Sequence, residues 1–468
     1  KKMKEQLASY QGDLDRWNTF PNLFKQESVA FFEPKYFFPQ VKNGFDIVIG
    51  NPPYINISNL KPDSYRQQLR SLFRSAKNKT DTYAFFLEKG FTLLNSTGYL
   101  CYIIPQTWKA TDSFSILRKI ILKEKSIERI VDLNFGTFSA IVKPMVILIS
   151  NEYGKFRNIK IYNDSLSLVN FLNIDEIFQD STLSINTELQ DAQKNLFHEI
   201  EKNSQKLETI IQFSRGIKTS DDHRFIHQIA KNEEYKKVFR GKNIKSYQLN
   251  WDGEYIWYRP DLMKEKVGSV SYSKDFFEVP EKIITQRVNS SMQLLCAYDK
   301  DQNYFLDTTI VSRYETWDKK TSFKFLCSIL NSKLINFWYC YKYLMPTIGI
   351  YEINTIPVKQ TDNQCIFSRF VDYIIVIKQI NHNYSSFFEH VIDSLVYELY
   401  FPSQIQSAGC GIIEHLGNLP ELIEGDETSN LAPIELVYRE LSDPAHPVSI
   451  AMEKMKEVEE VRIIEGLD

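Results

Sequence analysis

Along the first third of the chain, short unbroken apolar runs alternate with segments whose apolar residues recur every three or four positions. Residues 45–49, Phe45-Asp46-Ile47-Val48-Ile49, hold a single charge and predict a strand covered on both faces, ended by Gly50. Ala84, Phe85, Leu87, Phe91 and Leu94 predict the buried side of a helix over about 82–95, capped by Thr80 or Asp81 and stopped before Gly98. A strand over 99–104 ending at Pro105, a helix over about 113–123, a strand over 127–133 and a closing strand over 145–150 follow. This order predicts a mostly parallel sheet with helices on its faces, part of a doubly wound α/β domain. Upstream, Met3, Leu7, Tyr10, Leu14 and Trp17 predict a helix over 1–20, and the aromatics of 31–39 read as packing beneath a loop.

The pattern changes after residue 155. Residues 156–204 are polar and rich in Asn and Ser, which predicts a connector ending in a helix over about 187–202. From 205 to 400, short β-like runs at 209–213, 255–258, 282–286, 292–297 and 304–311 precede one apolar helix over 321–343 and two more over about 365–378 and 387–400. That is a mixed α+β domain. Residues 401–468 read as an acidic C-terminal extension with a final helix over about 449–464.

Composition adds class and compartment. With 468 residues and 43% hydrophobic positions the chain can build several ordinary cores. No apolar stretch is long enough to cross a membrane, and Lys1-Lys2-Met3-Lys4 lacks a signal-peptide core, so no membrane partner and a cytoplasmic location are expected. Cys101, Cys296, Cys327, Cys340, Cys365 and Cys410 contain no Cys-x-x-Cys pair, which argues for reduced thiols and no metal site.

The formal net charge of −3 is unevenly spread. Residues 401–468 hold 14 acidic against 4 basic side chains, leaving residues 1–400 at +7. A basic body is compatible with a polyanionic partner.

Chemistry concentrates at Asn51-Pro52-Pro53-Tyr54, directly after the first strand. Proline cannot continue a ladder, so the turn is held rigid at the strand's carboxyl end, where open α/β sheets bind ligands. An amide, a rigid turn and an aromatic in succession suit methyl transfer to the exocyclic amine of adenine. That amine is a poor nucleophile because its lone pair is delocalised into the ring. Acceptors aimed at both N–H bonds, the Asn51 side-chain oxygen and the Pro52 carbonyl, favour concentration of the lone pair on nitrogen. Tyr54 offers a face on which an extruded base can stack.

The stretch from Phe31-Phe32-Glu33-Pro34 through Phe45 to Ile55 resembles the type IIG restriction–modification enzymes. These join an endonuclease, a γ-class adenine-N6 DNA methyltransferase and a specificity domain in one polypeptide, and residues 45–54 are similar to motif IV of the methyltransferase. Residues 80–90 with 98–105 resemble its next helix–strand unit, and Ile130-Val131-Asp132-Leu133-Asn134-Phe135-Gly136-Thr137-Phe138 the segment that packs a phenylalanine on the flipped adenine. The resemblance implies a partial Rossmann-like methyltransferase domain over 1–155 and a target-recognition domain over 205–400, opened by Phe213-Ser214-Arg215-Gly216-Ile217-Lys218. It assigns catalysis to Asn51, Pro52, Pro53 and Tyr54, base stacking to Tyr54 and Phe138, and cofactor contacts to Asn51 and Pro53. Lys143 falls near the position of a base-contacting lysine.

The family's S-adenosylmethionine loop and following acidic residue lie upstream of motif IV and have no counterpart here. The chain is therefore expected to be the C-terminal portion of a longer enzyme. It would bind double-stranded DNA, hold no cofactor tightly by itself, and have as partners the N-terminal nuclease and cofactor-binding segments of the same polypeptide. The alternative is a DNA-binding specificity module without catalysis. Candidate DNA contacts in the second domain are Arg215, Lys218, Lys242 and Arg287. Glu234-Tyr235-Lys236 has the Glu-x-Lys shape of a nuclease but sits in a Lys/Glu-rich segment where such triplets are common, and His223 with His227 reads as a surface pair.

Overall fold

The computed structural model describes residues 38–77, 79–133, 143–179, 182–187, 191–264, 268–288, 293–343, 348–380, 384–423 and 427–467, with positions 10, 11, 14 and 18 before them. The N-terminal helix, nearly all of the aromatic segment and Phe138 thus lie outside the described residues. The chain forms two compact units, Lys1–Thr187 and Glu188–Asp468.

The first unit is built on a six-stranded sheet. Its strands are β1 (Phe45–Gly50), β2 (Leu94–Pro105), β3 (Ser126–Asp132), β4 (Pro144–Ser150), β5 (Asn158–Tyr162) and β6 (Leu168–Asn173), in the spatial order β1-β2-β4-β3-β5-β6. Helices α1 (Asp63–Leu72), α2 (Tyr83–Leu93), α3 (Ser115–Glu124) and α4 (Ile174–Gln179) accompany it. The core gathers Leu100, Ile104, Ile147 and Ile149 from the sheet with Tyr83, Leu87, Leu117 and Ile121 from α2 and α3.

Three expectations for this unit are corrected. The sheet is mixed: β1 with β2 and β3 with β5 are parallel, while β4 runs antiparallel to both β2 and β3, and β6 to β5. The 11 residues separating β3 from β4 are too few for the helical crossover that a parallel pairing needs. Residues 158–173, expected as connector, supply β5 and β6, because Ile159 and Ile161 have a buried sheet face to fill. Finally, among the described residues β1 pairs only with β2, and Ile47 is 62% and Ile49 77% exposed, so these residues do not cover both its faces.

Gly98 also differs from its expected role. The chain passes from α2 straight into β2 at Leu94, and Gly98 lies within the strand, beside a register shift between Phe45 and Ile47. A Cβ there would come within 2.8 Å of the Phe45 carbonyl oxygen, so the irregularity requires glycine.

In the second unit, strands 213–215, 309–312, 282–286 and 296–299 form one antiparallel sheet, and strands 226–227, 255–257, 235–239 and 304–305 form a mixed one, in which 235–239 and 304–305 run parallel. The first sheet packs Phe213, Ile283 and Ile310 into one apolar core and turns Ile284, Ala297 and Val311 into a second, which it shares with Val238, Ile256 and Phe305 of the other sheet. The expected helix over 321–343 is two, Phe323–Asn331 and Lys333–Tyr343, broken at Ser332, with the Asp393 carboxylate accepting from Lys333 N at 2.8 Å. The acidic extension is no appendage. Phe401, Ile405, Ile412, Ile434, Val448 and Val461 are buried in the same core as helices Gln364–Gln379 and Ser385–Tyr400, since its apolar residues recur on one face while its carboxylates stay outside. Its final helix is likewise two, Pro447–Met455 and Glu459–Glu465.

Candidate active site

The Asn-Pro-Pro-Tyr turn leaves the carboxyl end of β1, with Gly50 paired to Tyr102 of β2. Asn51 and Pro53 are exposed, Pro52 is buried and Tyr54 is half-buried. The Tyr54 hydroxyl donates to Asn51 Oδ1 at 2.9 Å and lies 3.1 Å from the Ile103 carbonyl oxygen. Burial pushes the Tyr54 hydroxyl above its ordinary value. The Tyr54 ring meets Tyr83 edge-on at 6.2 Å, and Tyr83 stacks on Phe114 at 5.2 Å.

The turn is clamped from the side by residues 80–82. The Thr82 hydroxyl donates to the Pro53 carbonyl and accepts from Ile55 N at 3.2 Å, and Thr82 N donates to the Ile55 carbonyl at 2.8 Å. Ile57 N donates to Thr80 O at 2.9 Å, and Asn56 Nδ2 to Asp81 Oδ1 at 3.0 Å. Burial raises the Asp81 carboxyl above its usual range, opposed by the Asn56 hydrogen bond. The cap expected at Thr80 or Asp81 is corrected: the N-cap position of α2 is Thr82, which makes no side-chain cap bond because its hydroxyl serves the turn, while the Thr80 hydroxyl donates to the Ser75 carbonyl and Asp81 accepts from Asn56. The Pro52 carbonyl receives no hydrogen bond among the described residues, whereas the next carbonyl, that of Pro53, is taken.

A second polar group lies at the carboxyl ends of the neighbouring strands. Lys109, fully buried just beyond β2, reaches Asp132 Oδ1 at 3.3 Å at the end of β3 and donates to Thr187 Oγ1 at 2.7 Å; Thr187 donates in turn to Asp132. Arg118 of α3, also buried, donates to the carbonyls of Trp108 at 2.8 Å, Thr111 at 2.7 Å and Thr182 at 3.1 Å. Sequence reasoning missed this group. A lysine or arginine within an apolar segment was its only signal, and the partners are 7 to 78 positions away. Lys143 stands at the entrance to β4, its carbonyl accepting from Gln106 N at 3.0 Å.

The remaining candidates separate in the second unit. Lys218 and Arg215 are exposed, and Arg287 is partly buried with Nε on the Asp307 carbonyl at 2.7 Å. Lys242 is held by Asp252 at 2.6 Å, so it stands paired rather than free. Glu234 accepts from Trp257 Nε1 at 2.8 Å and Lys236 pairs with Glu278 at 3.3 Å, so the Glu-x-Lys residues do not converge on one point. His227 Nε2 lies 3.0 Å from the Arg224 carbonyl. Among the described residues no cluster of His, Cys, Asp and Glu could hold a metal ion, and no helix is long and apolar enough to cross a membrane.

Residues 1–138 match the model of the Eco57I restriction-modification methylase, and residues 236–358 that of the TaqI-like C-terminal specificity domain. RM.MjaORFECS2P of Methanocaldococcus jannaschii, named as a type II restriction enzyme and methyltransferase, is 24% identical over 394 residues, 78% of this chain and 32% of that protein. The Escherichia coli type II restriction enzyme and methyltransferase RM.Eco57I is 26% identical over 230 residues, 45% of this chain and 22% of its own length. The chain thus spans about a third or less of these relatives. Among solved structures, the type IIL restriction-modification enzyme MmeI in complex with DNA shares the fold, with a TM-score of 0.52 at 12% identity over 84% of this chain and 57% of that one. The turn at the end of β1 thus lies within the segment similar to the Eco57I restriction-modification methylase, and the second unit contains the segment similar to the TaqI-like C-terminal specificity domain.

Proposed function

We propose that this chain is the target-base and specificity portion of a site-specific DNA adenine-N6 methyltransferase within a bifunctional restriction–modification polypeptide. One observation carries the reading: Asn51 is presented on a rigid turn, its side-chain oxygen oriented by Tyr54, beside the Pro52 carbonyl, which accepts no hydrogen bond among the described residues.

The geometry explains what these residues do. A carboxamide oxygen has two lone pairs, and the Tyr54 hydroxyl occupies one. The other can accept one N–H of an adenine amine while the Pro52 carbonyl accepts the second. Proline removes the backbone freedom that would let these acceptors drift, and the Thr82 clamp holds the turn from the opposite side. Positioning of this kind needs no general base among the residues of the turn.

S-adenosylmethionine, when bound, supplies the electrophilic methyl group. The described residues fit one wall of its site: Asn51 and Pro53 are exposed beside β1, where Ile47 and Ile49 present apolar surface. The remaining walls belong to upstream segments of the same polypeptide, which would also carry the nuclease. By itself the chain is expected to bind the cofactor weakly and to transfer no methyl. Phe138 is proposed to pack on the flipped base with Tyr54, and Lys143 to contact the DNA near it.

The test is transfer of labelled methyl to adenine in duplex DNA by the complete polypeptide. Asn51→Ala should abolish transfer while leaving sequence-specific binding intact. Equal loss of both would contradict this division of labour, and no transfer by the complete wild type would leave the alternative, a recognition module without catalysis.

A further inference from the structure

In the sheet of the second unit, Ile310 pairs with Arg215 on one side and with Thr285 on the other. The register continues past the strand ends, where Gly216 N donates to the Thr309 carbonyl at 3.2 Å and Arg287 N to the Thr308 carbonyl at 3.0 Å. Paired residues point to one face and so do residues two apart along a strand. Arg215 and Arg287 therefore leave the same end of the sheet on the same face, from the two strands that flank a shared neighbour.

These cations differ from those nearby. Arg240, Arg259 and Arg313 each hold a carboxylate, at 2.6, 2.8 and 2.8 Å. Among the described residues, Arg215 and Arg287 form no ion pair. Arg287 spends Nε on the Asp307 carbonyl, which fixes its guanidinium plane, and among the described residues its terminal nitrogens make no hydrogen bond. Burial and the neighbouring Arg215 charge both push the Arg287 guanidinium below its ordinary value, and Asp307 only partly opposes them.

The backbone enforces this proximity. A Cβ on Gly216 would lie 2.3 Å from the Leu306 carbonyl oxygen, so glycine alone permits the chain after Arg215 to lie against residues 305–306. Two like charges held together by the fold are relieved by an anion. A guanine edge, which is neutral, accepts hydrogen bonds but leaves the repulsion in place.

We propose that Arg215 and Arg287 form a clasp for one backbone phosphate of duplex DNA, positioning the specificity domain without reading sequence. The proposal rests on the reading that this domain binds duplex DNA.

The experiment is fluorescence anisotropy with the complete polypeptide over a range of salt, on duplexes with and without its recognition site, for wild type, Arg215→Gln, Arg287→Gln and the double variant. A clasp on one phosphate lowers the slope of log affinity against log salt by about one in total, reached in the double variant and in part by each single variant, and weakens both duplexes by the same factor. Loss confined to the duplex carrying the site, with the slope unchanged, would make these residues base readers and overturn the clasp. Unchanged binding in both single variants would overturn it as well. Should Arg287→Gln unfold early on heating, Arg215→Gln decides the matter alone, since its exposed side chain makes no ion pair among the described residues. Failure of the wild type to bind any duplex would overturn the DNA reading itself, and the clasp with it.

Discussion

The Tyr54 hydroxyl donates to Asn51 Oδ1 at 2.9 Å, joining the aromatic and the amide of the Asn-Pro-Pro-Tyr turn into one unit. If this bond aims the amide, Tyr54→Phe keeps the ring and loses the aim. A single hydrogen bond is worth about 0.5–1.5 kcal/mol net, so methyl transfer by the complete enzyme should fall roughly 2- to 10-fold in kcat with little change in DNA affinity. Asn51→Ala removes the acceptor itself and should cost at least about 100-fold. Single-turnover kinetics at saturating cofactor separates the two.

The Thr82 clamp predicts a different signature. Thr82→Val preserves shape but withdraws the bonds to the Pro53 carbonyl and Ile55 N, both at partly exposed positions, at a cost of about 0.5–1.5 kcal/mol for each bond. Thr82→Ser retains the hydroxyl and should restore most of that stability. Thermal unfolding of the three proteins checks this, and equal behaviour of Val and Ser would show that the hydroxyl does not hold the turn.

Lys109 and Asp132 form a buried pair at the strand ends. Removing one partner of such a pair is costly, about 3–5 kcal/mol, because the other charge is stranded. Lys109→Met and Asp132→Leu should each destabilise strongly, and the double variant should be markedly less destabilised than the sum. A double-mutant cycle by denaturant unfolding measures the coupling.

Asp393 gives a pH prediction in the second unit. Burial raises its carboxyl to about 7, with Glu465 and Glu389 adding to the effect and the Lys333 amide and charge opposing it. The folded value lies above the unfolded one, so this group favours folding most below about pH 4, and its contribution is lost as pH rises through about 7. Asp393→Asn keeps an acceptor for Lys333 N and removes the titration. Its stability relative to wild type should therefore increase between pH 5 and pH 8, read as the difference in unfolding midpoint across that range.

Much of the site was legible in the sequence because it is local. Four consecutive residues after an apolar run specify a rigid acceptor turn whatever lies around them, since proline geometry and amide chemistry act over a few bonds. The helices Gln364–Gln379 and Ser385–Tyr400 and the strand Lys282–Gln286 were equally readable, because periodicity records which face is buried. Residues 401–468 misled, as net charge describes their outer surface while Phe401, Ile405 and Val461 decide where they pack.

What tertiary structure alone decided is partnership across the chain. Thr82 reads as the first residue of a helix until the fold lays its hydroxyl against Pro53, 29 positions away. Lys109 carries no sign of a partner along the chain until β2 and β3 bring Asp132 beside it. Arg215 and Arg287 are two basic residues among many until one shared strand aligns them. Side-chain chemistry is carried by each residue and can be read in order along the chain. Charge pairing, burial and strand order are properties of neighbours in space, which sequence separation does not record.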